Sequence, residues 1–143
     1  MGIRIRPLRL SDYAAMIRLF DVCGLEPRLR GRDSRKAIAR QLRLNRTLYL
    51  GAFDGERLVG TVLGTHDTRK AWINRLAVHP EYRGRGIAGR LVRACEKEFR
   101  REGFGIFAAL IDGDNVASQR LFAELGYTAS DIRYYRKKVR GDV

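Results

Sequence analysis

The chain has 143 residues, enough for one domain with a sizeable core, and its 45% hydrophobic content argues against intrinsic disorder. It contains no apolar run of roughly 18 residues and no signal-peptide pattern, so we expect a cytoplasmic protein without a membrane segment. The formal net charge of +13 favours an anionic partner, such as nucleic acid, anionic lipid, a phosphorylated cofactor or an acidic substrate.

The first half of the chain predicts a strand, two helices and three further strands. IRIRPLRL alternates apolar and polar residues and predicts the first strand, and two helices follow it, the second starting after Ser34. Asp54-Gly55 separates two apolar runs and is typical of a hairpin turn. AWINRLAV, ending at Val78, predicts the next strand.

The second half predicts two helices that alternate with strands. Apolar residues recur at helical spacing from Ile87 to Glu102, and a buried-type strand, GIFAALI, follows. Val116 to Leu125 predicts another helix, and YTASDIRYYRKKV is interpreted as a final pair of strands. The predicted order is β-α-α-β-β-β-α-β-α-β-β within a single domain, 1–143. Hairpins around a central β-α-β unit require a mixed sheet.

Glycine and arginine are concentrated in HPEYRGRGIAGRL, residues 79–91, between the strand and the helix. The first amides of a helix lack intrahelical partners and the helix dipole attracts anions, so this position suits a phosphate. Glycines lack Cβ atoms, so a phosphate can approach the backbone of Gly84 and Gly86 closely. The loop therefore predicts a phosphate-binding site.

Two fingerprints describe this loop. Gly84-Arg-Gly86-Ile-Ala-Gly89 has the G-x-G-x-x-G spacing of a dinucleotide-binding loop, with Asp112 near the expected position of the ribose acid. However, residues 79–83 separate the loop from its strand, and too little chain follows Asp112 for a doubly wound fold. The second fingerprint, Arg83-x-x-Gly86-x-Ala88, agrees with the order of elements as well as with the loop.

With this second fingerprint the chain resembles the GNAT superfamily, the Gcn5-related N-acetyltransferases. The resemblance runs from RIRPLRLSDY through AVHPEYRGRGIAGRL to DNVASQRLFAELGY. It is strongest to small bacterial and archaeal members of undefined substrate. It implies an α/β (α+β) fold whose mixed, mainly antiparallel sheet has six to seven strands and carries helices on both faces.

The resemblance also implies acetyl-CoA as co-substrate and no metal. In the family the pantetheine arm follows the strand before the loop, and the pyrophosphate lies at the helix N-terminus. Asn115 matches a side chain that bonds the pantetheine, although a plain helix N-cap would also explain it. The residues expected to bind the cofactor are Leu76, Ala77, Val78, Arg83, Gly84, Arg85, Gly86, Ile87, Ala88, Gly89 and Asn115.

The catalytic residues are unknown at this stage. Phe122 occupies the position where relatives carry a tyrosine acid, and Leu110 the position where some carry a glutamate base. Bulk water could deprotonate an amine with a pKa near neutral, such as an α-amino group. The remaining candidates for proton transfer are polar residues near the expected site, namely Glu26, His66, Tyr134 and Tyr135.

The resulting hypothesis is an N-acetyltransferase that acts on a primary amine of a protein or small molecule by direct attack. The strand amide near Val78 would polarise the thioester carbonyl. The alternative is a non-catalytic GNAT-like protein that binds acyl-CoA or docks on RNA or the ribosome. Two basic segments, Arg28–Arg46 and Arg133–Arg140, indicate an acidic or RNA-associated acceptor. A homodimer remains open.

Overall fold

The computed structural model describes residues 2–143. Within that range the chain forms five strands and four α-helices. In chain order they are β1 (Ile3–Pro7), α1 (Tyr13–Val22), α2 (Arg35–Leu44), β2 (Tyr49–Asp54), β3 (Arg57–His66), β4 (Ala71–Val78), α3 (Ile87–Arg101), β5 (Phe107–Ala109) and α4 (Val116–Glu124).

The strands form one sheet in the order β1-β2-β3-β4-β5. The first four strands pair antiparallel, and β5 pairs parallel to β4. The predicted hairpin joins β2 to β3, and Gly55 has a φ of 58°, a left-handed conformation that favours glycine. The predicted α/β class with a mixed, mainly antiparallel sheet is therefore confirmed.

Helices cover both faces of the sheet, as predicted. On one face α1 and α2 bury Met16, Phe20 and Ile38, while α3 and α4 bury Leu91 and Phe122 on the other. Within residues 2–143, none of the helices has the length and apolar character needed to cross a membrane. The sheet thus separates two apolar clusters, and the β4 residues predicted to bind the cofactor, 76–78, lie on the strand next to the edge strand β5.

At that edge β4 and β5 separate. They pair only from Ala71↔Phe107 to Ile73↔Ala109, and β4 then continues to Val78 without β5 beside it. The pairing of β3 with β4 also shifts, because Thr61 opposes Ala77 whereas Leu63 opposes Asn74. This shift is a β-bulge at residues 75–76, and Arg75 takes a left-handed φ of 49° there.

The predicted final strand pair is wrong. Residues 127–143 form no strand in the described structure, so the sheet has five strands instead of six to seven. In an extended strand Ile132 and Tyr134 would lie on one face and Tyr135 and Val139 on the other. The apolar side chains of this segment therefore do not share one face. All four are exposed, and β5 offers only three residues to pair with. We call residues 127–143 the tail.

Candidate functional site

Two clefts open where β4 and β5 separate. The first, of about 520 Å³, runs from the end of β4 to the N-termini of α3 and α4, and we call it the loop cleft. The second, of about 890 Å³, lies between β4, the end of α2 and the tail, and we call it the tail cleft. Both clefts are lined by Leu25, Leu76, Asn115 and Ser118. The clefts therefore meet at these four residues.

Ten of the eleven residues predicted to bind the cofactor line the loop cleft. Gly84 and Gly86 have φ values of 77° and 75°, and a Cβ at either position would meet no atom within 4 Å. In α3 the first N–H with a helical partner is that of Arg90, which donates to Gly86 O at 3.1 Å. The preceding amides have no capping side chain among the described residues. This arrangement suits an anionic ligand.

The turn that precedes the loop is attached to the β2–β3 hairpin. His79 Nδ1 accepts a bond from the Glu81 N–H at 3.1 Å, which caps the short turn Pro80–Tyr82. The buried Tyr82 hydroxyl donates to Asp54 Oδ2 at 2.5 Å. The loop is thus held to the sheet from behind, with its glycines facing the cleft.

The two arginines of the loop differ in placement. Arg83 Nε donates to Val78 O at 3.1 Å and lines the loop cleft. Arg85 lies outside the cleft lining; its guanidinium donates to Glu81 O at 3.3 Å and stacks over the Tyr82 ring at 4.8 Å. Arg83 is therefore the loop arginine that a ligand in the cleft would contact.

The end of β4 presents backbone groups to the opening. His79 N–H donates to Val59 O on β3 at 2.8 Å. Because neighbouring residues of a strand point their backbone groups in opposite directions, the groups of Val78 point away from β3. The Val78 carbonyl accordingly accepts bonds from Arg83 and from the Cys23 thiol, the latter at 3.4 Å. The Val78 N–H faces the side that β5 has left.

Asn115 caps α4. Its Oδ1 accepts the Ser118 N–H at 3.1 Å, which leaves Nδ2 as the donor that it can offer to a ligand. Sequence reasoning missed its neighbours on α4, Ser118 and Leu121, although both follow Asn115 at helical spacing. It also missed Cys23, for which the sequence carries no signal.

A buried ion pair joins the α1–α2 connection to the bulge of β4. Arg75 donates to Asp33 Oδ2 at 2.8 Å, and the Asp33 side chain is only 4% exposed. The same oxygen accepts the Arg28 N–H at 2.8 Å, and the Tyr13 hydroxyl donates to the Asp33 carbonyl at 2.6 Å. Arg75 also donates to the Glu26 carbonyl at 3.2 Å. Asp33, the only acidic residue of the basic segment Arg28–Arg46, is therefore held in a structural ion pair.

Of the candidates for proton transfer, Tyr134 alone lines a cleft. His66 pairs with Ala71 at the opposite end of β4, and its nearest carboxylate is Glu102 at 3.8 Å. Tyr135 is 86% exposed and lines neither cleft, like Glu26. Within residues 2–143 no cluster of acidic, His and Cys side chains could hold a metal ion.

Phe122 is a packing residue at the inner wall of the tail cleft. It is 5% exposed and packs edge-on against Tyr127 with ring centroids 4.9 Å apart. The Tyr127 hydroxyl donates to Glu96 Oε2 at 2.6 Å. Burial and this bond raise the pKa of Tyr127. The phenol beside Phe122 is therefore tied to Glu96 and does not replace a tyrosine acid at position 122.

The two basic segments, far apart in sequence, meet at the tail cleft. Arg140 donates to the Arg30 carbonyl at 3.1 Å, and the backbone of Val143 lies against Gly31. Partial desolvation, together with neighbouring arginines of both segments, lowers the pKa of the exposed Lys138. We call the resulting cluster the cationic rim: Arg28, Arg32, Arg136, Lys137 and Lys138.

Comparison with known proteins agrees with this geometry. The profile of the Acetyltransferase (GNAT) family matches residues 13–127. Acetyltransferase SG1711 of Sodalis glossinidius (strain morsitans) is 33% identical over 130 residues, which cover 90% of this chain and 89% of the relative. The crystal structure of PaiA N-acetyltransferase from Thermoplasma acidophilum in complex with coenzyme A has a TM-score of 0.84 at 21% identity, covering 93% of this chain and 94% of that one.

A second solved structure has the same fold. The ribosomal-protein-S18-alanine N-acetyltransferase from Escherichia coli has a TM-score of 0.78 at 20% identity, covering 95% of this chain and 85% of that chain. At such identities the two solved structures support the fold of this chain, whereas the family profile and the Sodalis relative support its family.

Proposed function

Since the chain belongs to the GNAT acetyltransferase family, we propose that it transfers an acetyl group from acetyl-CoA to a primary amine. The observation that carries the proposal is the meeting of two clefts at Leu76 and Asn115. The loop cleft would hold the donor and the tail cleft the acceptor. The coenzyme A complex of the Thermoplasma protein supports this choice of donor.

The loop cleft fits the parts of acetyl-CoA in order. Its pyrophosphate would bind the first amides of α3, which the left-handed Gly84 and Gly86 leave accessible, with Arg83 adding positive charge. The pantetheine amides would pair with the open backbone of β4 up to Val78. Asn115 Nδ2 would donate to the same arm. The thioester would then lie where the two clefts meet.

The reaction would be a direct displacement. The lone pair of a neutral amine attacks the thioester carbonyl, a C–N bond forms, the C–S bond breaks, and the thiolate of coenzyme A departs. The Val78 N–H, on the open side of β4, would stabilise the developing oxyanion. A thiol has a pKa near 8.5 and an α-amino group about 7.7 to 8.0, so water can accept and supply the protons. This chemistry requires neither a tyrosine acid at position 122 nor a glutamate base at position 110, so it fits a site with Phe122 and Leu110.

The charge of the tail cleft indicates the acceptor. Four members of the cationic rim line the tail cleft, Arg32 from the α1–α2 connection and Arg136, Lys137 and Lys138 from the tail. The negative charge of Asp33 is neutralised by Arg75. An acidic segment near the acceptor amine would be attracted to this opening and steered into it. We therefore propose an acidic protein tail, or a protein bound to RNA, as the acceptor.

The test is a mass assay of acetyl-CoA consumption with amine-bearing peptides that match in length but are acidic, neutral or basic. We expect the acidic peptides to have the lowest KM. Replacing Arg28, Arg30 and Arg32 with Ser should raise that KM by about tenfold, since three surface charges contribute roughly 0.5 kcal/mol each. The salt dependence should flatten because fewer charges are left to screen.

The control variant removes three charges outside both basic segments, at Arg18, Arg69 and Arg101, which are exposed and line neither cleft. Its KM should stay within about twofold of wild type, because distant exposed charges are screened. The proposal of an acidic acceptor would be excluded if a small neutral amine were the best substrate and the triple Ser variant acetylated it as well as wild type does. Coenzyme A binding without turnover on any amine would favour the alternative, a non-catalytic binding protein.

A further inference from the structure

The tail forms one wall of the cleft that the proposed function assigns to the acceptor. Tyr134, residues 136–139 and Val143 line the tail cleft, opposite Asn74 and Arg75 of β4. The tail is irregular, and its contacts with the body include the bond from Arg140 to the Arg30 carbonyl. A segment without strand pairing can shift along the cleft without breaking a ladder of backbone bonds. The tail thus places an irregular, peptide-like segment along the wall of the acceptor cleft.

This segment brings primary amines to the cleft. Among the described residues Lys137 and Lys138 line the tail cleft, whereas the other three lysines line neither cleft. Lys70 stacks over Trp72 with its Nζ 5.6 Å from the ring centroid, and Lys97 is exposed on α3. Among the lysines, acetylation inside the chain's own cleft would therefore fall on Lys137 or Lys138.

The surroundings of Lys138 favour its reactive form. Partial desolvation and the positive charges of Arg28, Arg136 and Arg32 lower the pKa of Lys138, although its side chain is exposed, against an opposing effect of Glu26. A lower pKa increases the fraction of neutral amine near neutral pH, and only the neutral amine carries the lone pair that attacks a thioester. The cationic rim thus increases the neutral, nucleophilic fraction of this lysine.

We propose that Lys138 is an intramolecular acceptor, so that the protein acetylates its own tail. The proposal rests on the proposed function of the two clefts. The Nζ lone pair attacks the thioester carbonyl, an amide C–N bond forms, the C–S bond breaks, coenzyme A leaves as thiolate, and the amine proton passes to water. Attachment of the amine to the same chain raises its effective concentration above that of most free acceptors.

The modification would also change the cationic rim. An acetylated Lys138 carries no charge, so the opening attracts an acidic acceptor less strongly. Self-acetylation would therefore raise the KM for acidic acceptors and leave the affinity for acetyl-CoA unchanged.

The experiment incubates the full chain with isotopically labelled acetyl-CoA and maps the label by mass spectrometry, both as purified and after incubation. We expect label on Lys138 at a first-order rate that does not change with protein concentration, as an intramolecular step requires. Lys138→Arg should reduce tail labelling by at least about tenfold, while Lys97→Arg, the matched control on α3, should label like wild type.

Two further measurements make the result decisive. Gly86→Glu, which should not bind coenzyme A, is expected to stay unlabelled; label on its Lys138 equal to wild type would mean chemical acetylation and overturn the proposal. A wild-type protein that acetylates added amines but leaves its tail unlabelled would overturn the self-acetylation alone. Failure to bind coenzyme A in calorimetry would overturn the proposed function together with it.

Discussion

Replacing Gly86 with glutamate is expected to abolish coenzyme A binding while α3 stays folded. Gly86 precedes α3 with a φ of 75° and a ψ of 11°, and a side chain there would project into open space at the helix N-terminus. The left-handed backbone would cost a residue other than glycine about 1 to 2 kcal/mol. A carboxylate at this place is favourable for the helix dipole and repels the phosphates that would bind the same amides.

The expected loss of affinity is at least about 100-fold, or roughly 2.7 kcal/mol, measured by calorimetry with coenzyme A. Gly86→Ala is the matched control, because it carries the same backbone strain without the charge, and it should lose no more than about tenfold. Circular dichroism should show native helix content in both variants. Unchanged affinity in the glutamate variant would exclude the loop cleft as the cofactor site.

Replacing Asp33 with alanine is expected to lower the free energy of unfolding by about 3 kcal/mol, because it leaves a largely buried guanidinium without its counter-charge. The Arg75 side chain is 17% exposed, and its partner Asp33 is 2.8 Å away. The same loss should loosen the bulge of β4, next to Leu76 and Val78. We therefore expect kcat to fall together with stability.

Urea unfolding measures the expected loss of stability in Asp33→Ala, and two further variants test whether the ion pair is its cause. Asp142→Ala breaks a pair with Arg140 of the same 2.8 Å length whose side chains are 42% and 56% exposed, so it should cost below about 1 kcal/mol. Adding Arg75→Met to Asp33→Ala should restore part of the lost stability, since no buried charge is then left alone. A double variant no more stable than Asp33→Ala would show that the ion pair is not the cause.

The glycines of the loop illustrate what the sequence could predict. Gly84 and Gly86 combine a known spacing with a physical requirement, an accessible helix N-terminus, and the structure gives both a positive φ. Asp54-Gly55 is similarly local, and its hairpin formed as expected. Such features depend on residues that are neighbours in the chain, so a short stretch of sequence carries the whole signal.

The pair of Asp33 and Arg75 shows what could not be predicted. The two residues are distant in sequence and meet only because α1 packs on β3 and β4. The bond between Arg140 and Arg30 likewise depends on where the tail crosses the body. Arg83 and Arg85 differ for a related reason, since the Arg85 guanidinium stacks over the Tyr82 ring and that of Arg83 donates to Val78 O. The prediction of two final strands was wrong because residues 127–143 do not place their apolar side chains on one face.

The pairing of β1 determines when that strand can join the fold. Pro7 pairs with Leu50 across both α1 and α2, whereas Asp54 pairs with Arg57 across a tight turn. Closing the longer loop costs about 2 kcal/mol more chain entropy, so β2 and β3 should associate first. Pulse-labelled hydrogen exchange during refolding should therefore protect the amides of β3 before those of β1. Equal protection times would show that both pairings form in one step. Later protection of β1 would mean that the segment between β1 and β2, which contains α1, α2 and the adjoining wall of the tail cleft, is fixed late in folding.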